Sequence, residues 1–434
     1  MDYKLYSPEK YGVKSINLKN FIEALSHEEE NQDIHSFMLM REGKVLAEGY
    51  TYPYTFDTPH EIFSGSKAFA AMAIGFAVNE GLLSIDDKIV KYFADYVPDD
   101  SDKRLNKVTV KNLLTMTVGQ KGDPVHCATY SKNDNWLFNF FMREFVAEPG
   151  SEFRYDGFAT YILSALINRV SGQDMMTYLN SRLFEPMDMA IPYHIKDKYG
   201  ICIGYTGMRM TIGDYAKIGQ MFLDDGKYKG RQILPEGWVE ISSVKHIDTP
   251  KVTTGEDWNQ GYCFQMWRGR HNTYRLCGAF GQMCVIIPDY NMIFAVQSGY
   301  DNNKIHLILD KFYKHILSQI DLPMFEDFSA NSNGIFKRIT LTDIENDKCT
   351  LILHSDKDIK LPCGIGKGIV SEPLFTELVS VNPVGGKVKF CSELNYISDT
   401  EFYIKVLLVG TPARVDIKII DGVADIEYSR CKGV

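Results

Sequence analysis

From Ala68 to Val78 the chain carries no charged residue, and its apolar positions do not keep to one face. A helix that is apolar all round belongs in an interior. The run is too short for a bilayer, which needs about 20 residues. It therefore predicts a central core helix, entered through Ile62-Phe63-Ser64-Gly65-Ser66-Lys67. Upstream, Leu18, Phe21, Ile22 and Leu25 recur at helical spacing and predict an amphipathic helix from Asn17 to about Gln32. Phe37-Met38-Leu39-Met40 and Val45-Leu46-Ala47 predict a β-hairpin within His35–Tyr52, turning at Glu42-Gly43-Lys44.

Residues 82–200 read as mostly helical. Short helices are predicted at Val108–Thr117, Asn135–Val146 and Thr160–Ser171, and one more across 172–190. Residues 120–134 form a long polar stretch, the composition of a site wall or lid. Tyr215, Ile218, Met221 and Phe222 mark a helix over Ile212–Asp224, and Pro235 opens another to Val244. Strands are predicted at Tyr262–Trp267, Gly278–Ile287 and Met292–Gln297, then a helix at His306–Ile320. With the hairpin these make a five-stranded antiparallel sheet flanked by terminal helices, with the helical block inserted between its halves. Beyond about residue 325 strand-like runs alternate with turns: Cys349–Leu353, Gly368–Val370, Lys387–Phe390, Glu401–Val409, Ala413–Ile420 and Ala424–Tyr428. The expected fold class is α+β, with residues 1–322 as one domain and 323–434 as a small antiparallel β domain.

A net charge of −9 without a Lys/Arg block excludes nucleic acid as the main partner. The nine cysteines are dispersed, with no C-x-x-C pair, so neither a zinc site nor a disulfide framework is expected. The N-terminal residues lack an apolar signal region. These features predict a cytoplasmic protein that acts on a small molecule, with no membrane partner, no metal and no cofactor.

The pattern S-x-x-K occurs at Ser7/Lys10, Ser64/Lys67, Ser242/Lys245 and Ser429/Lys432, but only Ser64/Lys67 opens a long apolar helix. Residues i and i+3 share a helix face, so a hydroxyl and an amine can meet there. The helix start adds unpaired N–H groups and a positive dipole end, suited to a developing oxyanion. Ser64 and Lys67 thus form a candidate nucleophile and base. Cys127 beside His126 is a rival thiol nucleophile, but adjacent residues seldom orient productively.

Further landmarks follow in order. Asn79-Glu80-Gly81-Leu82-Leu83-Ser84-Ile85-Asp86-Asp87 follows the core helix, and Thr109 to Gly119 comes next. Then come Pro149-Gly150-Ser151-Glu152-Phe153-Arg154-Tyr155, Asp214 to Gly226, Trp238-Val239, and Gly281 to Pro288. Over roughly residues 15–320 the chain resembles the serine β-lactamase and penicillin-binding-protein-like family, nearest its class C and esterase branch. The resemblance implies that Ser64 forms an acyl-enzyme, assisted by Lys67, with Tyr155 as base and later acid. It implies backbone oxyanion donors at Ser64 and Ala279, and Gly278, Phe280 and Gln282 at the substrate pocket. Two positions depart from the family. Gly157 stands where the second motif carries an amide side chain. Leu276 stands where the third carries a cation, for which Arg275, Arg270 and His271 are candidate substitutes. Both departures favour an ester or small amide as substrate. A decayed binding protein, and a penicillin-binding D-alanyl peptidase or β-lactamase, are the alternatives.

Overall fold

Helix α1 (Ser15–Ser26) and the hairpin β1 (Ile34–Arg41) and β2 (Lys44–Tyr50) lead into a two-residue strand β3 (His60–Glu61) and then α2 (Lys67–Asn79). The structure, a computed structural model, describes residues 4–26, 33–122, 135–252 and 255–320, and beyond them the strands of a second unit. The expected wall or lid at 120–134 and the Cys127/His126 pair fall largely or wholly outside the described residues, as do 27–32 of the first helix.

Helices α3 (Val110–Leu114), α4 (Trp136–Phe141), α5 (Gly157–Ser171) and α6 (Met175–Leu179) form the inserted block. Strand β4 (Arg209–Met210) pairs with β3, and α7 (Ile212–Leu223) follows. A small ribbon, β5 (Lys227–Tyr228) and β6 (Arg231–Gln232), precedes α8 (Trp238–Ser243). The chain then returns to the main sheet with β7 (Trp267–Arg268), β8 (Tyr274–Gly278), β9 (Gln282–Ile287) and β10 (Met292–Ser298), before α9 (His306–His315).

The main sheet has six antiparallel strands in the order β2-β1-β10-β9-β8-β7. Successive residues of β10 point to opposite faces. Phe294 packs on Phe21 of α1 and Phe312 of α9, at 5.5 and 4.5 Å between ring centroids. Ile293 packs on α7 at Gly219. Both faces are covered, which is why the strands read as continuous apolar runs. Helix α2 is buried from Lys67 to Ala77 and packs against α5. At Gly75 a Cβ would lie 2.5 Å from the Trp238 ring, so only glycine lets α8 approach.

The sheet departs from expectation at one end. Tyr262–Trp267 is not a strand: Tyr262 makes only single bridges, to Ile247 and Trp267. Gln265 is pulled aside, its amide donating to the carbonyls of Leu113 and Leu114 and accepting from Thr160. The strand at that place is Tyr274–Gly278, whose buried Arg275 hides it in the apolar pattern. Strand β9 accordingly begins at Gln282 rather than Gly278. Helix α4 ends at Phe141 rather than Val146, and α6 passes at Asn180 into a wide turn and then a tight turn containing Pro186.

The chain divides into two compact units, Met1–Gln319 and Ile320–Val434. The second holds a nine-stranded sheet of mainly antiparallel hairpins. It includes Phe328–Ser332, Arg338–Glu345 and Ile359–Ile365, which the sequence pattern did not reveal. Two parallel pairings occur, Asn331–Ser332 with Val423–Ala424 and Gly364–Ile365 with Glu393–Leu394, and the second closes the sheet on itself. Closure removes exposed strand edges. Among the described residues no helix is long and apolar enough to cross a membrane.

Candidate active site

Ser64 lies in a single tight turn, Phe63–Ser66, that runs directly into α2. The turn is closed locally: the Gly65 N–H donates to the Ile62 carbonyl at 2.9 Å, and Ser66 Oγ donates to the Phe63 carbonyl at 2.6 Å. Phe63, just before the nucleophile, has φ 46°, a left-handed backbone that bulky residues avoid. Such outliers persist only where surroundings enforce them. Ser64 is partly exposed while Lys67 is 2 % exposed.

The structure brings Ser64, Lys67 and Tyr155 together. Lys67 Nζ stands 2.8 Å from Ser64 Oγ and donates to the Tyr205 carbonyl at 3.0 Å. It also lies 4.8 Å from the Tyr155 ring centre. Tyr205 is presented by a turn between Gly204 and Gly207, both with positive φ. Tyr155 precedes Asp156, which caps α5 by accepting from the Phe158 N–H at 2.9 Å and from Arg143 Nη1 at 2.6 Å. The cap fixes the entrance of α5 immediately after Tyr155.

Burial pushes the Tyr155 pKa well above that of an ordinary phenol. A hydrogen bond with Ser64 pulls it down, but by less than burial raises it. Tyr155 therefore stays a neutral phenol at physiological pH.

The second turn of the site joins β8 to β9. At Gly278 a Cβ would lie 2.1 Å from the Ile62 carbonyl oxygen and 3.1 Å from Phe63 Cβ, so the Gly278 backbone presses against the Ser64 turn. This contact brings the β8–β9 turn, where Ala279 is the expected second oxyanion donor, against the turn that carries Ser64. Phe280 follows with φ 60°, and its ring meets Phe63 edge-on at 5.1 Å. Both turns thus carry a phenylalanine in the left-handed region next to the candidate donor.

Distant side chains hold this second turn. Asn302 Oδ1 accepts from the Phe280 N–H at 2.7 Å. The Phe280 carbonyl accepts from Ser298 Oγ at 2.7 Å and from the Tyr300 N–H at 3.1 Å. Gln282, expected at the substrate pocket, is instead fully buried. Its amide donates to the Ala279 and Ser298 carbonyls and accepts from the Ser298 N–H. It closes the turn from behind. Phe280, also expected at the substrate pocket, is 41 % exposed.

Leu276 is buried, and its carbonyl accepts from the Tyr215 hydroxyl of α7 at 3.3 Å. The candidate substitute cations are engaged elsewhere. Arg275 donates to the carbonyls of Arg268 and Asp257, Arg270 pairs with Asp257 and Asp310, and His271 lies edge-on to Tyr313.

Sequence reasoning missed the Tyr205 carbonyl, Asn302, and an aromatic wall beside Tyr155. Trp267 lies 5.7 Å from the Tyr155 ring and Phe153 6.3 Å. The glycine-rich Gly204–Gly207 run and the aromatic density of 258–267 were signals for two of these. Asn302 left none. Among the described residues no cluster of His, Cys, Asp or Glu could hold a metal ion.

Residues 32–307 match the family model described as Beta-lactamase. Among curated proteins the chain is similar to 6-aminohexanoate-dimer hydrolase of Paenarthrobacter ureafaciens, 25 % identical over 225 residues, covering 47 % of this chain and 56 % of that protein. The match thus spans little more than half the length of that relative. In the solved structures it resembles EstCE1, a hydrolase with promiscuous acyltransferase activity, at a TM-score of 0.56 and 16 % identity over 69 % of this chain and 99 % of that one. It also resembles the octameric penicillin-binding protein homologue from Pyrococcus abyssi, at a TM-score of 0.52 and 19 % identity over 96 % of this chain and 97 % of that one.

Proposed function

The chain belongs to the Beta-lactamase family, and on that premise we propose that it is a serine acyl hydrolase acting on an ester or small amide. One observation carries this reading: the 2.8 Å contact of Lys67 Nζ with Ser64 Oγ, with the Tyr155 ring centre 4.8 Å from the same amine. Ser64 Oγ attacks the substrate carbonyl carbon, and its proton passes to the Lys67 amine. The Ser64 and Ala279 N–H groups stabilise the oxyanion. As the bond to the leaving oxygen or nitrogen breaks, Tyr155 gives that atom its proton and is reprotonated from Lys67. Water then attacks the acyl-enzyme by the reverse relay, releasing the acid and restoring the Ser64 hydroxyl. Because Tyr155 rests as a phenol, its donation and reprotonation are concerted.

Leu276 brings no charge, its carbonyl accepts from Tyr215 of α7, and the nearby arginines are bound elsewhere. This supports a substrate without a carboxylate at that position, and so an ester or neutral amide rather than a penicillin or D-alanyl peptide. No cofactor takes part in this reading. Residues 323–434 are proposed as a separate β domain with no part in the chemistry.

Intact mass after incubation with activated esters, a penicillin and the dimer of 6-aminohexanoate tests the proposal. An acyl adduct on Ser64 from esters or the amide is the expected result. An adduct from penicillin alone would restore the peptidase reading. No adduct and no turnover would leave a binding protein of this fold.

A further inference from the structure

A cavity of about 460 Å³ is lined in part by Phe153 and Trp267, the two rings that pack beside Tyr155. Phe153, Trp258 and Trp267 wall it, and Val252, Asn302 and His306 contribute to its lining. Two contacts join it to the reacting groups. Trp267 and Phe153 pack on the Tyr155 ring, and Asn302 binds the Phe280 N–H, one residue beyond the candidate oxyanion donor.

The walls are built and supported from behind. Trp258 meets Trp267 edge-on at 4.8 Å, and Phe153 meets Trp267 at 5.5 Å. The Arg275 guanidinium lies 4.6 Å from the Trp258 ring centre. The guanidinium that could have met a substrate carboxylate thus braces the cavity wall. Thr249 Oγ1 donates to the Trp258 carbonyl at 2.5 Å, and the Asn259 amide holds Val252 by two bonds, at 2.7 and 3.0 Å. None of the described residues lining the cavity is Asp, Glu, Lys or Arg.

We propose that this cavity is the leaving-group subsite and that it takes a flat, uncharged group such as an aryl ring. The proposal rests on the acyl-hydrolase reading above. Aromatic walls bind flat apolar groups by area burial and by offset or edge contacts. A carboxylate placed there would lose its water without a lysine or arginine to meet it, His306 being the one titratable side chain among the described lining residues. The leaving group is assigned rather than the acyl group because the cavity shares a wall with Tyr155, the donor of the leaving atom's proton. With benzyl acetate, the Ser64 Oγ bond to the acetyl carbon forms and the carbon–oxygen bond to benzyl alcohol breaks. The alcohol departs with the proton from Tyr155, and water later frees acetate.

The test compares kcat/KM for benzyl acetate and methyl acetate, whose alcohols are of similar acidity, and for methyl phenylacetate, which places the ring on the acyl side. The expected result is a benzyl preference of at least about tenfold over methyl acetate. Trp267→Ala should narrow that ratio. Val252→Trp, which fills the cavity from its exposed side without opening the core, should narrow it as well. A preference that follows methyl phenylacetate, or a benzyl preference untouched by both variants, would overturn the assignment. Benzyl alcohol titrated into Ser64→Ala protein, read by tryptophan fluorescence, separates this idea from the hydrolase reading. Saturable quenching that Val252→Trp weakens supports the subsite even if no ester is turned over. No saturable quenching together with no benzyl preference would remove it, whatever the activity on other esters.

Discussion

The Ser64 turn and the Ala279 turn face each other, and they are built by opposite means. The first is held mainly by bonds within four residues and by the helix it begins, with one long-range bond, from the Met208 N–H to Ser66 Oγ. The second is held by Gln282, Ser298, Tyr300 and Asn302, drawn from two strands and the loop after them. Each carries a phenylalanine in the left-handed region, and the two rings touch. A nucleophilic side chain can be aimed by its own helix. A backbone donor has no side chain to turn, so its direction depends on the residues that hold the turn.

The largest effect should come from the local turn. Ser64→Ala is expected to lower ester kcat/KM by at least about four orders of magnitude and to abolish the adduct in intact mass. Equal rates in variant and parent would break the assignment of the first turn altogether. Tyr155→Phe, which removes the proton donor but keeps the ring, should cost about two to three orders of magnitude. Since burial raises the Tyr155 pKa, its donating form persists as pH rises past the ordinary phenol value of about 10. Ionisation of Tyr155 should therefore not limit the rate near that pH. A loss of activity there in the parent but not in Tyr155→Phe would contradict this.

The second turn should respond more gently and in a different parameter. Asn302→Ala frees the Phe280 N–H and lets the donor drift. A fall of about ten- to a hundredfold in kcat is expected, with KM close to the parent. Asn302→Asp keeps an acceptor oxygen at this exposed position and should recover most of the loss. Loss of stability without loss of kcat would mean that the turn places no donor. Gln282→Leu leaves the Ser298 N–H and carbonyl without their side-chain partner in a buried place, and should cost about 1–3 kcal/mol in denaturant unfolding. The smallest effect is expected from ending the chain after Gln319. The first unit should then unfold at nearly the parent's temperature, and aggregation of that fragment would show that its core needs the second unit.

The sequence alone was enough for the central helix, because a run apolar on every side has few other places to go, and for Ser64 and Lys67, because i and i+3 must share a face. The order of landmarks from Asn79 to Pro288 was legible too, and with it the fold class. What depended on distant contacts was not. Tyr274–Gly278 was hidden because a buried arginine, satisfied by the carbonyls of Arg268 and Asp257, breaks the apolar pattern. Tyr262–Trp267 has the composition of a strand, but Gln265 is drawn away to α3 and α5. Gln282 stands in the motif as a pocket residue, yet the strand pairing of β9 and β10 turns its amide inward to Ser298. Trp258, Trp267 and Asn302 come from segments more than a hundred residues beyond Tyr155, and no local period encodes their meeting. Periodicity reports which face a residue presents. Only the packed structure decides what that face meets, and here that is the aim of the Ala279 amide and the company of Tyr155.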